Sequence, residues 1–371
     1  RRIPPLLAAL EHQLARHGNR NPPRPRSGTR RPDLLEEDGS VSYMERHQVA
    51  LYLASMAVGG ASAGLSGWSL VSEQLVPYAL GALLWTNFAL MPLVGMSVGQ
   101  HKRLARTVVL VATLGTPILV APLVSLFIPE GGPIALATVI VLLAPCVDYV
   151  VVFACIAGGE YRGLLATTPY LLGTQIVSIP FWTSAYAYIG ILDIGVVGEI
   201  FPLPTESYLS LAPLIVPLIA AYLVQRWSTR SPQRQQAYER VRTMSDTAMI
   251  PLMCLLLALM CSAYTPAVLN ETQLIPRLAG LYLTYAILAG GAAWCLSKVM
   301  GRPERISVTF SAVTRNALII YPVVALCAQR LAHNGNPEAS LMGATVLTQT
   351  LTELLIMVAM TAIFRVRTKD R

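Results

Sequence analysis

Three charged residues lie well inside apolar stretches of this chain, namely Asp148, Arg315 and Glu353. A charge at the centre of a bilayer costs at least about 2.5–3.5 kcal/mol on insertion scales, so such residues are rarely accidental. Gln349 precedes Glu353 by four residues and shares its helix face. Two interpretations stay open for each charge: a structural contact between helices, or a direct role in handling a solute or a proton.

Cys146 follows Pro145, which lacks a backbone donor and interrupts a helix. A thiol beside such a break faces a region that a small solute can reach, and thiolates suit soft metals and metalloids. An isolated cysteine in an apolar stretch is otherwise small hydrophobic filler. The six cysteines show no zinc-site spacing, and no glycine-rich phosphate loop is present, so we expect no resident metal, no cofactor and no ATP-driven pumping.

Composition indicates what positions these residues. Hydrophobic residues make up 54% of the 371 residues and charged residues only 13%, and the mean hydropathy is +0.54. The apolar runs are apolar on all sides, as in helices that have lipid as their solvent. These values predict an all-α membrane protein rather than a soluble globule.

A spanning helix needs roughly 20 mostly apolar residues, and ten segments qualify. They are Val49–Gly67, Val76–Ser97, Leu104–Ile128, Ile134–Ala157, Leu164–Ile189, Ser207–Gln225, Thr247–Tyr264, Leu278–Val299, Ile306–Ala328 and Leu341–Phe364.

The distribution of positive charge predicts the orientation. With both termini inside, every lysine and arginine of the 28 lies in a cytoplasmic segment except Arg277, Arg315 and Arg330. The net charge of +8 therefore reflects membrane topology and does not indicate nucleic acid. We expect residues 1–47 to form a disordered basic cytoplasmic tail and residues 48–371 to form a multi-pass domain in a bacterial-type inner membrane.

The long segment Arg226–Asp246 divides the ten spans into two sets of five, covering residues 49–189 and 207–364. An odd number of spans in each half gives the halves opposite orientations, as in inverted-repeat transporters. The fourth and ninth spans both carry polar residues midway, at 145–149 and 314–316. We therefore predict two inverted five-helix repeats with helices four and nine broken at a shared site, and a secondary active transporter.

The sequence Pro-Cys-Val-Asp-Tyr-Val-Val-Val-Phe-Ala-Cys-Ile-Ala-Gly-Gly-Glu at 145–160 resembles the fourth span of the arsenite-efflux permeases, in the bile acid:sodium symporter superfamily. In that family a Pro-Cys pair opens a broken helix, and an Ala-x-Gly-acid loop follows at the spacing of Ala157, Gly159 and Glu160. Asn316 matches an asparagine of the family's ninth span, and Leu351–Leu354 resembles the acidic motif of its tenth.

The resemblance implies a panel and a core domain, with spans four and nine crossed at the substrate site. It also implies that Cys146 binds arsenite and that arsenite is exchanged for protons. We expect Thr314, Arg315 and Asn316 to contribute to substrate binding, and Asp148 and Glu353 to couple protons.

The chain departs from the family's pattern at three positions. Leu318 stands where the exporters have a glutamate, Asp148 where they have a small uncharged residue, and Arg315 where they have asparagine. An acid on the other crossing helix would replace the family's glutamate, so these departures bear on the substrate rather than on the fold.

Sodium coupling is not expected. The family's sodium symporters use oxygen ligands at positions that match Val150, Val151, Ser311 and Arg315 here. Valines offer no oxygen to a hard cation.

Two alternatives stay open. On the same scaffold, Arg315 would pair with the carboxylate of a small organic anion. From another class, a membrane enzyme or a sensor is possible, but Asp148 with Glu353 is a poor protease pair and no folded soluble domain is evident. We therefore expect no enzyme activity, and the partners to be a small solute, protons and the bilayer, without nucleic acid.

Overall fold

The computed structural model describes residues 39–64, 68–94, 99–146, 150–200, 211–271 and 273–369. Within these ranges the chain is helical and contains no strand. The helices are α1 (Gly39–Ser62), α2 (Trp68–Leu90), α3 (Lys102–Phe127), α4 (Pro133–Leu142), α5 (Val150–Ile156), α6 (Tyr161–Tyr188), α7 (Ile194–Ile200), α8 (Ala212–Ser228), α9 (Pro232–Asn270), α10 (Leu274–Leu296), α11 (Arg302–Val313), α12 (Ala317–His333) and α13 (Met342–Lys369).

Six helical segments of the described residues are long and apolar enough to cross a bilayer. These are α3, α6, α9, α10, the pair α11 and α12 taken together, and α13. Shorter apolar helices occur at Ala50–Ser62 and Pro133–Leu142. The prediction of an all-α, multi-pass membrane protein is confirmed at this level, and the count of ten spans stays a prediction.

Two predicted boundaries differ from the structure. Helix α1 begins at Gly39, so residues 39–47 are helical rather than part of a disordered tail, whereas residues 1–38 lie outside the described residues. Most of the predicted loop Arg226–Asp246 is also helical, because α9 begins at Pro232 with the Ser231 hydroxyl accepting from the backbone N–H of Arg234. Both segments contain glutamate and arginine, which favour helix once a neighbouring apolar stretch has nucleated it.

The helices pack into two sets. The four-helix group consists of α1, α2, α8 and α9, which pack chiefly on one another. At its tightest crossing, a Cβ added to Gly59 of α1 would lie 2.1 Å from the Ala258 carbonyl oxygen of α9, so only glycine fits. Such small residues let helices approach closely in a membrane protein.

The broken-helix group consists of α3 to α6 and α10 to α13. Helix α13 packs against α4, α5, α10 and α12, and α3 packs against α6 and α10. A hydrogen bond of 2.7 Å between the hydroxyls of Tyr264 and Tyr321 joins α9 of the four-helix group to α12. The candidate site lies within the broken-helix group.

Candidate functional site

The first break separates α4 from α5. Helix α4 ends at Leu142, and Pro145 and Cys146 follow in non-helical conformation. Proline cannot donate to the helix ladder and disfavours helical geometry in the residue before it, which favours an end of the helix here, whereas Pro169 and Pro180 lie within the continuous helix α6. Cys146 is 1% exposed, and none of the six cysteines forms a disulfide. Asp148, one of the two predicted proton-coupling acids, lies outside the described residues.

The second break separates α11 from α12 at residues 314–316, which include neither proline nor glycine. Thr314 is extended, with φ −87° and ψ 141°. Asn316 caps α12, because its side-chain oxygen accepts from the backbone N–H of Ile319 at 3.1 Å. The Thr314 hydroxyl donates back to the Phe310 carbonyl at 2.7 Å.

The two breaks contact each other directly. The backbone N–H of Asn316 donates to the carbonyl oxygen of Pro145 at 3.4 Å. Helix α4 packs against α12, and α5 packs against α11, so each half-helix has its partner across the breaks. The peptide group before Cys146 is thereby tied to the peptide group after Arg315.

Helix α13 supplies a carboxyl to the second break. Glu353 is 2% exposed, and its Oε2 accepts from the backbone N–H of Arg315 at 2.9 Å. The Gln349 amide nitrogen donates to the Arg315 carbonyl oxygen at 2.9 Å and also to Oε2 of Glu353. Glu353 and Gln349 therefore take the place of a missing turn of helix at Arg315.

The Arg315 side chain is 1% exposed. Whereas the backbone N–H of Arg315 bonds to Glu353, the guanidinium bonds to other groups. Its Nε donates to the Tyr285 hydroxyl at 2.9 Å, and its Nη2 donates to the Ala312 carbonyl at 3.1 Å and to the Thr116 hydroxyl. Among the described residues, no carboxylate lies within 4.0 Å of the guanidinium. These hydrogen bonds engage three of the five guanidinium N–H donors and leave a buried positive charge without a described counter-ion.

Thr116 and Tyr285 were not predicted from the sequence. Thr116 follows a π-helical segment of α3 (Val111–Gly115), and such segments often occur at functional sites. Tyr285 of α10 also donates to the Ala312 carbonyl at 2.9 Å. Threonines occur throughout the apolar stretches, so residue type alone could not single out Thr116, whereas a tyrosine in the middle of an apolar span was a usable signal.

A small cavity lies beside Glu353. Its volume is about 10 Å³, which is about the space of one water molecule. The side-chain oxygen of Gln349 is buried and has no hydrogen-bond partner in the part of the chain that the structure describes. The cavity is lined by Leu142, Tyr282, Tyr285, Ala286, Val313, Gln349, Glu353 and Ile356.

Comparison with known proteins adds no relative. No protein-family model matches the chain, and no curated protein matches it. Chemically, the arrangement places a thiol, a titratable carboxyl and a buried guanidinium around two helix breaks that are bonded to each other. Within the described residues, no cluster of three His, Cys, Asp or Glu side chains could hold a metal ion.

Proposed function

We propose that this protein is a secondary active transporter that exports arsenite or a related trivalent metalloid in exchange for protons. The observation that carries the proposal is the pair of consecutive backbone N–H groups at the second break. One N–H, from Arg315, reaches the titratable Glu353, and the next, from Asn316, reaches the Pro145 carbonyl beside Cys146. A change at the carboxyl therefore acts on the thiol's own helix break.

The metalloid would bind at Cys146. Sulfur is a soft donor that suits a trivalent metalloid, and Cys146 is buried at a break where the backbone is not committed to a helix. The Thr314 hydroxyl donates its hydrogen bond to the Phe310 carbonyl, but its oxygen can still accept a hydrogen bond from a hydroxyl of the solute. Asn316 contributes to the binding position through its backbone N–H, which donates to the Pro145 carbonyl beside Cys146, while its side-chain oxygen caps α12.

Glu353 would carry the proton. As a carboxylate it accepts charge-assisted hydrogen bonds from Arg315 and Gln349, and protonation weakens these bonds and turns one oxygen into a donor. The second break then loosens, and its bond to Pro145 changes with it. Binding of the metalloid at Cys146 and of the proton at Glu353 thus both act on the second break. Coupling of this kind is what exchange of one for the other requires. Asp148, outside the described residues, is proposed as the second proton carrier.

The wider architecture belongs to the same proposal. We place ten spans in two inverted repeats, residues 49–189 and 207–364, with both termini cytoplasmic and with the arsenite-efflux permeases as relatives. The separation into a four-helix group and a broken-helix group supports a panel and a core that move against each other. We propose neither an enzyme activity nor a cofactor.

The test is arsenite accumulation in everted membrane vesicles energised by a proton gradient. Cys146→Ser should abolish accumulation, and the matched control Cys295→Ser, at an exposed thiol of α10, should leave it unchanged. Glu353→Gln should keep arsenite binding but lose the response to the gradient. Accumulation that survives Cys146→Ser, or that ignores a protonophore, would refute the proposal.

A small organic anion is the second candidate substrate. The observation favouring it is the Arg315 guanidinium, which has no carboxylate partner among the described residues. A carboxylate ligand would have to displace the Thr116 or the Tyr285 hydroxyl from the N–H donors of Arg315. If Arg315→Ala abolishes a thermal shift by small carboxylic acids and leaves the shift by arsenite intact, this candidate replaces the first.

A further inference from the structure

An apolar groove of about 310 Å³ runs between α10, α11 and α13. Thr309 supplies its one hydroxyl, which is already donated to the Arg305 carbonyl at 2.8 Å. The groove is lined by Leu283, Ala286, Ile287, Gly290, Gly291, Trp294, Thr309, Val313, Ile356, Met360 and Phe364.

The groove faces the surroundings of the protein at membrane depth. Leu283 and Ile287 of α10 are 49% and 64% exposed, on a helix apolar enough to span the bilayer. From Leu283 to Trp294 the groove extends about 16 Å along α10. That length is about half of the roughly 30 Å hydrocarbon core, so the groove matches one leaflet.

One end of the groove carries a cation. The Arg305 guanidinium stacks on the Trp294 ring with its central carbon 3.9 Å from the ring centroid, and Nη2 donates to the Trp294 carbonyl at 3.0 Å. The Nε–H of Arg305 is buried and has no hydrogen-bond partner among the described residues. Buried donors in native proteins almost always have a partner, so this one favours an acceptor such as a bound anion.

The surroundings of Arg305 are also basic. Lys298 is exposed in the same α10–α11 connection, and Arg103 of α3 donates to the Val299 carbonyl there at 3.2 Å. Glu304, in the first turn of α11, accepts from the backbone N–H of Gly301 at 3.3 Å, and Arg103, Lys298 and Arg305 outnumber this acid. The charge therefore complements an anion, on the side that the lysine and arginine distribution predicts to be cytoplasmic.

We propose that this groove binds an anionic phospholipid, with one acyl chain along α10 and the phosphate at Arg305. The apolar lining, about as long as one leaflet, accommodates the acyl chain. The Nε–H of Arg305, which stacks on Trp294, is the donor for the phosphate of the headgroup. Arginine suits this role because its planar guanidinium can stack on tryptophan while it donates to phosphate oxygens. The groove shares Ala286, Val313 and Ile356 with the cavity beside Glu353, but lipid binding there does not require the proposed transport function.

The experiment is native mass spectrometry of the full-length protein in detergent, titrated with phosphatidylglycerol or with phosphatidylcholine of the same acyl chains. Phosphatidylglycerol should bind at least about tenfold more tightly, because its net negative charge meets Arg305, Lys298 and Arg103, whereas the choline cation of phosphatidylcholine offsets the charge of the phosphate that both lipids share. Gly291→Leu and Arg305→Gln should each weaken its binding by at least about tenfold.

The variants are chosen so that folding does not decide the result. A Cβ at Gly291 would meet no atom within 4 Å, so a larger side chain fills the groove without a clash at its root. Gly173→Leu on α6, equally exposed and equally open, controls for the added bulk. Arg240→Gln on α9 controls for the lost charge.

Three outcomes would overturn the proposal. Equal binding of the two lipids would exclude selection of an anionic lipid by the basic surroundings of Arg305. Unchanged lipid binding in Gly291→Leu would exclude the groove as the chain's position. Loss of self-association in Gly291→Leu without loss of lipid would make the groove a contact between copies of the protein.

Discussion

The two helix breaks look alike in outline but are made by different means. At the first, Pro145 prevents the helix from continuing, and the cause is written in the local sequence. At the second, residues 314–316 contain no helix breaker, and the chain is held open by Glu353 and Gln349 of α13 and by the Asn316 cap. A break at a proline needs no titratable group to favour it, whereas a break held by a carboxyl can respond to protonation.

This difference assigns the two breaks different parts in one mechanism. The first break offers a thiol in fixed surroundings, which suits a binding position. The second is bonded to a titratable group on one side and to the first break on the other. We therefore expect substitutions at the second break to depend on whether the replacement can still accept a hydrogen bond.

The largest effect is expected for Glu353→Ala. It leaves the buried N–H of Arg315 without an acceptor, and an unsatisfied buried donor costs about 1–3 kcal/mol. Glu353→Gln keeps an acceptor oxygen and should lose far less stability. Thermal unfolding of the purified protein in detergent measures both. Equal losses for the two replacements would mean that Glu353 does not hold the second break open.

Gly159→Ala tests the connection that follows the first break. Its backbone N–H bonds to the Ala154 carbonyl at 2.7 Å, and an added Cβ would lie 2.8 Å from both that oxygen and the Ser307 hydroxyl of α11. Such overpacking costs about 1–3 kcal/mol, and we expect about 2 kcal/mol from the shift in unfolding midpoint.

The control for Gly159 is Gly173→Ala in α6, where an added Cβ meets no atom within 4 Å. Alanine favours a helix over glycine by up to about 1 kcal/mol, so this variant should be neutral or more stable. A tolerated Gly159→Ala would show that α5 and α11 are not tightly joined, and would leave the contact between the breaks as the main link.

The sequence predicted the first break more fully than the second. Pro145 identifies both the position and the cause, and the polar run at 314–316 identified a position only. Its partners come from α3, α10 and α13, and hydrogen bonds between distant segments leave no local pattern. Thr116 resembles every other threonine in an apolar stretch, and the π-helical segment before it depends on packing.

The role of Glu353 could be predicted from the sequence less fully than the first break but more fully than the second. Its rarity as a charge within an apolar helix marked it as important, and its spacing to Gln349 correctly placed both on one face. That the carboxyl also bonds to the backbone N–H of Arg315 could not be predicted. The same limit applies to the helical start of α9, where tertiary packing extends a helix into a polar segment.

Asn316→Ala should lower the stability less than Glu353→Ala or Gly159→Ala. It removes the side-chain oxygen that caps α12 but keeps the backbone N–H that reaches Pro145. Loss of such a cap costs about 1 kcal/mol, measured again by thermal unfolding. Asn316→Ser keeps a neutral capping oxygen in this buried position and should lose less stability than Asn316→Ala. A loss of several kcal/mol in Asn316→Ala would mean that the side chain, and not the backbone, joins the two breaks.

The smallest effect is expected at the ion pair between Glu130 and Arg277, which lies outside both breaks and measures what a solvated contact contributes. Hydrogen bonds from the backbone and from Arg277 lower the pKa of Glu130, and the two carboxylate oxygens lie 3.0 and 3.1 Å from Nη2 of Arg277. Because the folded pKa lies below the unfolded one, the stabilisation is present at neutral pH and is lost as the pH falls through the folded pKa. The side chains are 41% and 56% exposed, so Glu130→Gln should cost less than about 0.5 kcal/mol at pH 7, with the difference vanishing in acid. If Glu130→Gln instead cost as much as Glu353→Ala, burial would not be what gives the second break its sensitivity, and the contrast between the two breaks would have to rest on the proline alone.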